Sequence, residues 1–145
     1  MVLRAAGLCL GVMWAASACE APPAFPVPPG PPRAIAVDVR LPLYVVGTWG
    51  VTTFTDALRI ELAKYRIAIV DHVPGSIGPA FEVDLGEFTY RQWQSIDVSS
   101  FGASKVVPIG SVRLGDVGMD AVEAAAEPVA ILIARSVWGV TPLRP

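Results

Sequence analysis

The sequence predicts an α+β fold, a small sandwich of a mostly antiparallel sheet with one crossover helix and a C-terminal helix. Three observations predict it. Apolar residues alternate along residues 34–41, they recur at helical spacing over residues 54–65, and further strand-like segments precede a last helical one. The order strand, helix, strands, helix places the helices on one face of the sheet.

The first strand is predicted at residues 34–41. Ile35 and Val37 fall on one side of the chain, and Asp38 and Arg40 fall on the other. This alternation is typical of a strand with one buried and one solvated face.

A short strand is predicted at residues 44–49, and an amphipathic helix follows it. The apolar stripe of this helix consists of Phe54, Leu58, Leu62 and Tyr65. Thr52 or Thr53 is predicted to cap the helix. Asp56 is predicted in its first turn, where a carboxylate stabilises the helix dipole.

Three more strands are predicted. Residues 66–71 are rich in β-branched side chains, and residues 80–93 form the longest strand signal. Within residues 80–93, the apolar side chains shift from odd-numbered to even-numbered positions beside Gly86. This shift predicts a β-bulge there. Residues 105–114 form the third, and Pro108 predicts that it lies at a sheet edge.

The last helix is predicted at residues 120–137. Asp120 is its expected cap, and Glu123 stands three residues later, as in a capping box. Pro128 is expected to kink or split the helix, and Gly139 is expected to end it.

Composition excludes two broad classes of protein. With 53% hydrophobic and 17% charged residues, the chain is not intrinsically disordered. Its 11 basic and 13 acidic residues give a net charge of −2, so no overall excess of positive charge is available for a nucleic acid or an anionic membrane surface. Two cysteines are too few for a disulfide framework or a Cys-rich zinc site.

The N-terminal segment is predicted to be a signal peptide at residues 1–18. Arg4 supplies a positive charge, and the apolar residues 5–16 that follow have the length of a signal-peptide core. A membrane-spanning helix needs about 20 apolar residues, so a permanent span is disfavoured. The predicted organisation is this signal, a lipidated Cys with a Pro-rich linker at 19–33, and a single α+β domain at 34–145.

The residues Ala16-Ser17-Ala18-Cys19 resemble the lipobox of bacterial lipoproteins. The resemblance implies that the Cys19 thiol receives a diacylglyceryl group, that the preceding peptide is cleaved, and that the new amino terminus is acylated with a fatty acid such as palmitate. That family most often has Leu where Ala16 stands. The alternatives are a secretory signal cut after Ala18 and an uncleaved anchor.

A linker is predicted at residues 20–33, which hold seven prolines. Such density favours polyproline II, whose rise of about 3.1 Å per residue gives a semi-rigid spacer on the order of 40 Å long. This spacer is expected to set the domain away from the membrane. A Pro-rich ligand at residues 29–33 for another domain is the alternative.

A hydrolytic site is possible only around His72, the single histidine. Asp71 precedes it and Ser76 follows four residues later, but adjacent residues of a strand point to opposite faces. An exposed histidine at a strand end is therefore the favoured interpretation.

Metal and acid–base sites are not expected. Asp116, Asp120 and Glu123 lack the ligand spacing of a calcium loop. Glu82 and Asp84 alternate with apolar residues, so they are expected on a solvated strand face. No cofactor motif occurs in the sequence.

One cluster is predicted to bind a partner. Tyr90, Arg91 and Trp93 are residue types enriched in binding hot spots. The alternative is that Trp93 caps the core at the sheet edge and that Arg91 pairs with Glu82 or Asp84.

After the lipobox, the layout resembles the ABC-type transport auxiliary lipoproteins. The residues that carry this resemblance are 37–42, Trp49 before 54–65, 83–88 and the C-terminal helix, while Thr48 replaces that family's Arg. The lipopolysaccharide-assembly lipoproteins share a similar plan. Either resemblance implies a non-enzymatic accessory of a larger envelope complex, without a cofactor.

The sequence therefore predicts a lipid-anchored periplasmic binding or assembly factor, accessory to an envelope transport or assembly complex. Its expected place is the periplasmic face of the outer membrane, with the inner membrane or the cell surface as alternatives. Its expected partners are the membrane and an envelope protein complex. A periplasmic hydrolase using His72 and a purely structural surface lipoprotein are the alternative functions.

Overall fold

The computed structural model describes residues 22–40, 49–76, 80–86, 88–89, 92–93, 95–102, 105–113 and 122–140. Their elements, in chain order, are β1 (Arg33–Ile35), β2 (Val37–Arg40), α1 (Trp49–Ala63), β3 (Ile67–Ile69), β4 (Phe81–Asp84), β5 (Phe88–Thr89), β6 (Gln92–Trp93), β7 (Ser95–Phe101), β8 (Val106–Arg113), a 3₁₀ turn (Val122–Ala125) and α2 (Ala126–Trp138). Helices packed against a sheet confirm the predicted α+β class.

The main sheet has the strand order β2-β4-β7-β8. β2 pairs parallel with β4, and the pairings β4–β7 and β7–β8 are antiparallel. α1 lies between β2 and β4 in the chain and provides the crossover that a parallel pair requires. β1 pairs parallel with β3 in a separate two-stranded sheet.

The first predicted strand changes partner in its middle. The Ile35 carbonyl accepts from the Val70 N–H at 2.9 Å, next to the β1–β3 pairing. One residue later the Ala36 carbonyl accepts from the Ala80 N–H at 2.9 Å and the Phe81 N–H at 3.3 Å, at the start of the β2–β4 pairing. One continuous stretch of chain thus joins the two sheets.

The core lies between the helices and the main sheet. All four residues of the predicted α1 stripe are buried, with Phe54, Leu58 and Leu62 at 0% exposure. They pack with the inner side chains of the strands and of α2, and with Leu85 just after β4. The strand and helix residues are Ile35, Phe81, Val83, Ile96, Val98, Val112, Val129, Ala130, Ile133 and Ala134. The periodicity therefore identified the buried faces correctly.

The predicted start of α1 is wrong. The helix begins at Trp49, so Thr52 and Thr53 lie inside it and no acidic residue lies in its first turn. Trp49 is helical instead of closing a strand, and residues 44–48 lie outside the described part. Val51, three residues before Phe54, also packs against the core, so the buried stripe extends one turn further than the threonines indicate.

The single strand predicted at 80–93 is also wrong. Phe88 stands opposite Trp93 and Thr89 opposite Gln92 in an antiparallel pair, so the chain reverses within that segment. The pairs Asp84–Asp97 and Phe88–Trp93 are separated by three residues on each strand. A bulge adds a residue to one strand only, so the described pairings do not show the predicted bulge.

Gly86 has another role. Its φ is +67°, and a Cβ at this position would overlap the Ser95 carbonyl oxygen. Glycine is required because the two backbones approach closely here.

A register shift does occur beside β8, between Val98 and Ser99. Val98 stands opposite Gly110 and Ser99 opposite Pro108, which leaves Ile109 as an extra residue. β8 is the last strand in the sheet order, so the edge position predicted from Pro108 is confirmed.

The C-terminal helical segment is divided before its proline. The 3₁₀ turn gives way to α2 after Ala125, and Pro128 lies in the first turn of α2. Proline lacks a backbone N–H, but no helical hydrogen bond is lost in the first turn because the first amides of a helix have no acceptor within it. Gly139 ends α2 in the left-handed conformation, as predicted. Asp120 lies outside the described residues.

Candidate functional site

Most of the predicted site residues cannot be placed. Cys19, Tyr90 and Arg91 lie outside the described residues, and Trp93 is described only by its backbone in β6. The sequence predicts one strand over residues 80–93 for this cluster, whereas the chain reverses between β5 and β6. That the cluster binds a partner stays a prediction.

The main sheet presents a polar surface on the side opposite the helices, which we name the outer face. It consists of Asp38, Arg40, Glu82, Asp84, Asp97, Ser111 and Arg113. These residues alternate along their strands with the buried core residues. Four carboxylates and two guanidinium groups give this face a net negative charge. The predicted solvated face of Glu82 and Asp84 is part of it.

Arg40 connects two strands of the outer face. Its Nε donates to the Asp38 Oδ2 at 2.9 Å, and its Nη2 lies 2.9 Å from the Glu82 Oε2. The hydrogen bond to Asp38 and the charge of Glu82 raise the pKa of Arg40 above its ordinary value. Because Arg40 is 55% exposed, these pairs add little to stability. They orient the guanidinium group and the two carboxylates.

Asp84 and Asp97 stand directly opposite each other on β4 and β7. The Asp84 Oδ1 accepts the Gly86 N–H at 3.0 Å, and in the described part of the chain neither carboxylate forms a salt bridge. Like charges in this arrangement destabilise a sheet. This part of the outer face favours contact with a cationic group.

The possible hydrolytic residues do not form a triad around His72. His72 and Asp71 are both exposed, and the Ser76 hydroxyl donates to the Val73 carbonyl at 2.8 Å. Among the described residues, no group of three or more His, Cys, Asp or Glu is arranged to hold a metal ion. Asp116 and Asp120 lie outside that part of the chain, and so does the Glu123 side chain.

A second surface lies where the Pro-rich segment meets the domain. The Phe25 and Tyr65 rings lie 5.0 Å apart, centroid to centroid, and the Ala24 N–H donates to the Tyr65 hydroxyl at 2.9 Å. Phe25 and Val27 pack against the core. The predicted linker is therefore not a free spacer along its whole length, because apolar side chains between its prolines dock on the domain.

Arg33 extends this contact to the end of α2. Its guanidinium carbon lies 4.6 Å from the centroid of the Trp138 ring, and its Nη1 donates to the Val137 carbonyl at 3.0 Å. The Trp138 Nε1 donates in turn to the Tyr65 carbonyl at 2.9 Å.

We name this surface the docking cluster, defined as Ala24, Phe25, Arg33, Tyr65, Arg66 and Trp138. Arg66 belongs to it because its carbonyl accepts the Arg33 N–H at 2.9 Å. Sequence reasoning missed this cluster. The available signal was the pair Phe25 and Val27, the large apolar side chains within a Pro-rich segment.

Comparisons of the chain with protein-family models, with curated proteins and with solved structures find no match. No helix in the described ranges is long and apolar enough to cross a membrane.

Proposed function

We propose that this protein is a lipid-anchored periplasmic binding or assembly factor, accessory to an envelope transport or assembly complex. The observation that carries the proposal is the motif Ala16-Ser17-Ala18-Cys19. The segment that follows Cys19 packs on the folded domain at Phe25. An anchor at this cysteine therefore fixes one end of the domain relative to the bilayer.

The outer face is the proposed partner-binding surface, together with the predicted cluster of Tyr90, Arg91 and Trp93. β4 and β7 carry Asp84 and Asp97, which form no salt bridge with the described residues, and the β5–β6 pair lies next along the same two chain segments. Fixed carboxylates of this kind give specificity and attract a basic partner more than they add affinity.

The anchor is tested by Cys19→Ala, with Cys9→Ala as the matched control. We expect the wild-type chain and the control to sediment with membranes and to carry an acyl mass on Cys19. The Cys19→Ala variant should lose that mass and leave the membrane fraction. Equal membrane association and equal mass in both variants would contradict the proposal.

The accessory role is tested by photo-crosslinking in intact cells. A photoreactive amino acid at Asp97 probes the outer face, and one at Ile60, which is 61% exposed on α1, serves as control. We expect Asp97 to capture a component of an envelope transport or assembly complex and Ile60 not to capture it. Absence of a specific product from Asp97 would favour the purely structural lipoprotein, and loss of function in His72→Ala would favour the hydrolase.

A further inference from the structure

The docked segment limits how far the domain can stand from a lipid on Cys19. Four residues separate Cys19 from Ala24, and five residue steps span at most about 18 Å when fully extended. A free spacer over residues 20–33 would instead reach on the order of 40 Å. This inference rests on the proposed lipid anchor. Given that anchor, the docking cluster is the part of the domain nearest the bilayer.

The docking cluster carries two positive charges, because Arg33 and Arg66 are both exposed. Arg135 lies in the last turn of α2. The Nε of Arg135 is buried and has no hydrogen-bond partner among the residues that the structure describes. The neighbouring Lys64 and Glu61 neutralise each other through contacts of 2.9 Å.

The helix termini do not cancel this charge. α1 ends just before Tyr65 and α2 ends at Trp138, so two helix C-termini contribute roughly −0.5 elementary charge each. The two guanidinium groups of the docking cluster, on Arg33 and Arg66, outweigh this contribution. Arg is also the residue best suited to phosphate, because its planar fork donates two parallel hydrogen bonds.

We propose that the docking cluster rests against the anionic phosphate headgroups of the bilayer that carries the lipid anchor. Arg66 and Arg33 contact the phosphates, while the Ala24–Tyr65 and Phe25–Tyr65 contacts prevent the Pro-rich segment from extending. The domain is thereby held on the membrane surface. The outer face, on β2, β4 and β7, remains available to a protein partner.

The test is neutron reflectometry of the lipidated protein on supported bilayers, with the acyl mass confirmed beforehand. One bilayer is phosphatidylethanolamine alone, and the other also contains phosphatidylglycerol. We expect no water gap between the headgroups and the protein on the anionic bilayer. On the neutral bilayer we expect a gap of up to about 18 Å, the reach of the chain from Cys19 to Ala24. Equal gaps on the two bilayers would overturn the proposal.

Two pairs of variants separate charge from docking. On the anionic bilayer, Arg66→Gln should lower the ratio of membrane-apposed to detached protein about fivefold and thereby open the water gap. Arg113→Gln, on the outer face, should leave the gap closed. On the neutral bilayer, Phe25→Ser should widen the gap towards about 40 Å by releasing the spacer, whereas Phe25→Leu should not. An unchanged gap in Arg66→Gln would refute the headgroup contact, and an unchanged gap in Phe25→Ser would refute the role of docking.

These experiments distinguish a failure of the proposed lipid anchor from a failure of the proposed headgroup contact. A chain without an acyl mass is not retained by either bilayer, whichever variant is used. A chain that is lipidated but stands at the reach of the free spacer keeps the anchor and overturns only the inference.

Discussion

One hydroxyl contributes to the docking of the Pro-rich segment, and a single substitution removes it. Tyr65→Phe keeps the ring that packs on Phe25 and in the core but deletes the acceptor of the Ala24 N–H, which lies 2.9 Å from it. A hydrogen bond of this kind contributes about 1 kcal/mol, which corresponds to roughly a fivefold change in an equilibrium constant. We expect the equilibrium for release of the segment to increase by that factor.

Amide hydrogen exchange followed by NMR measures this change directly. The Ala24 amide should exchange at least about fivefold faster in Tyr65→Phe, because the variant loses the hydrogen bond that protects this amide and releases the segment more often. The amide of Val140, which donates to the Arg135 carbonyl at 2.9 Å, serves as the internal control and should keep its rate. An Ala24 amide that exchanges at the rate of an unfolded peptide in the wild-type protein would refute the reasoning.

Three further substitutions, two of them with a control variant, test the core, the close approach at Gly86 and the outer face through the free energy of unfolding. Leu58→Ala should lower it by about 2–5 kcal/mol because the side chain is fully buried, and the exposed Ile60→Ala should change it by at most about 0.5 kcal/mol in the same urea titration. Gly86→Ala should lower the free energy of unfolding more than Gly75→Ala does, as measured by thermal unfolding. Both glycines have positive φ, but only a Cβ at position 86 meets a neighbouring backbone carbonyl. An equal loss in these two variants would contradict the close approach. Asp97→Asn should raise the unfolding free energy by a few tenths of a kcal/mol, about the size of one cross-strand repulsion, and the gain should shrink at high salt.

The buried faces could be predicted because few arrangements satisfy their spacing. Phe54, Leu58 and Leu62 lie four residues apart, and all are fully buried against the sheet. Phe81 and Val83 alternate with acids and lie in the same core. Local spacing determines these faces wherever one side of an element is apolar and the other is charged.

The chain reversal between β5 and β6 could not be predicted from the same spacing. Apolar and polar residues can keep alternating in the sequence where the chain reverses. Residues 89–92 also contain no Gly, Asn or Pro to indicate a turn. The docking cluster was missed for a different reason. The proline content indicates the average conformation of residues 20–33. Docking depends instead on two individual side chains, Phe25 and Val27, and on Tyr65, which is distant in the sequence.

Because of the change of partner at Ala36, we expect a pull on the N-terminal side to load both sheets through one continuous stretch of chain. A pull on the N-terminal side acts first on the Ala24–Val27 contacts, which consist of one hydrogen bond and apolar packing. Once they release, the load runs along β1 and β2, which are bonded side by side to β3 and β4. Force along paired strands shears several hydrogen bonds together instead of peeling them one at a time. The docked segment therefore acts as a weak element in series with a strong one, and it can lengthen under tension before the fold itself is strained.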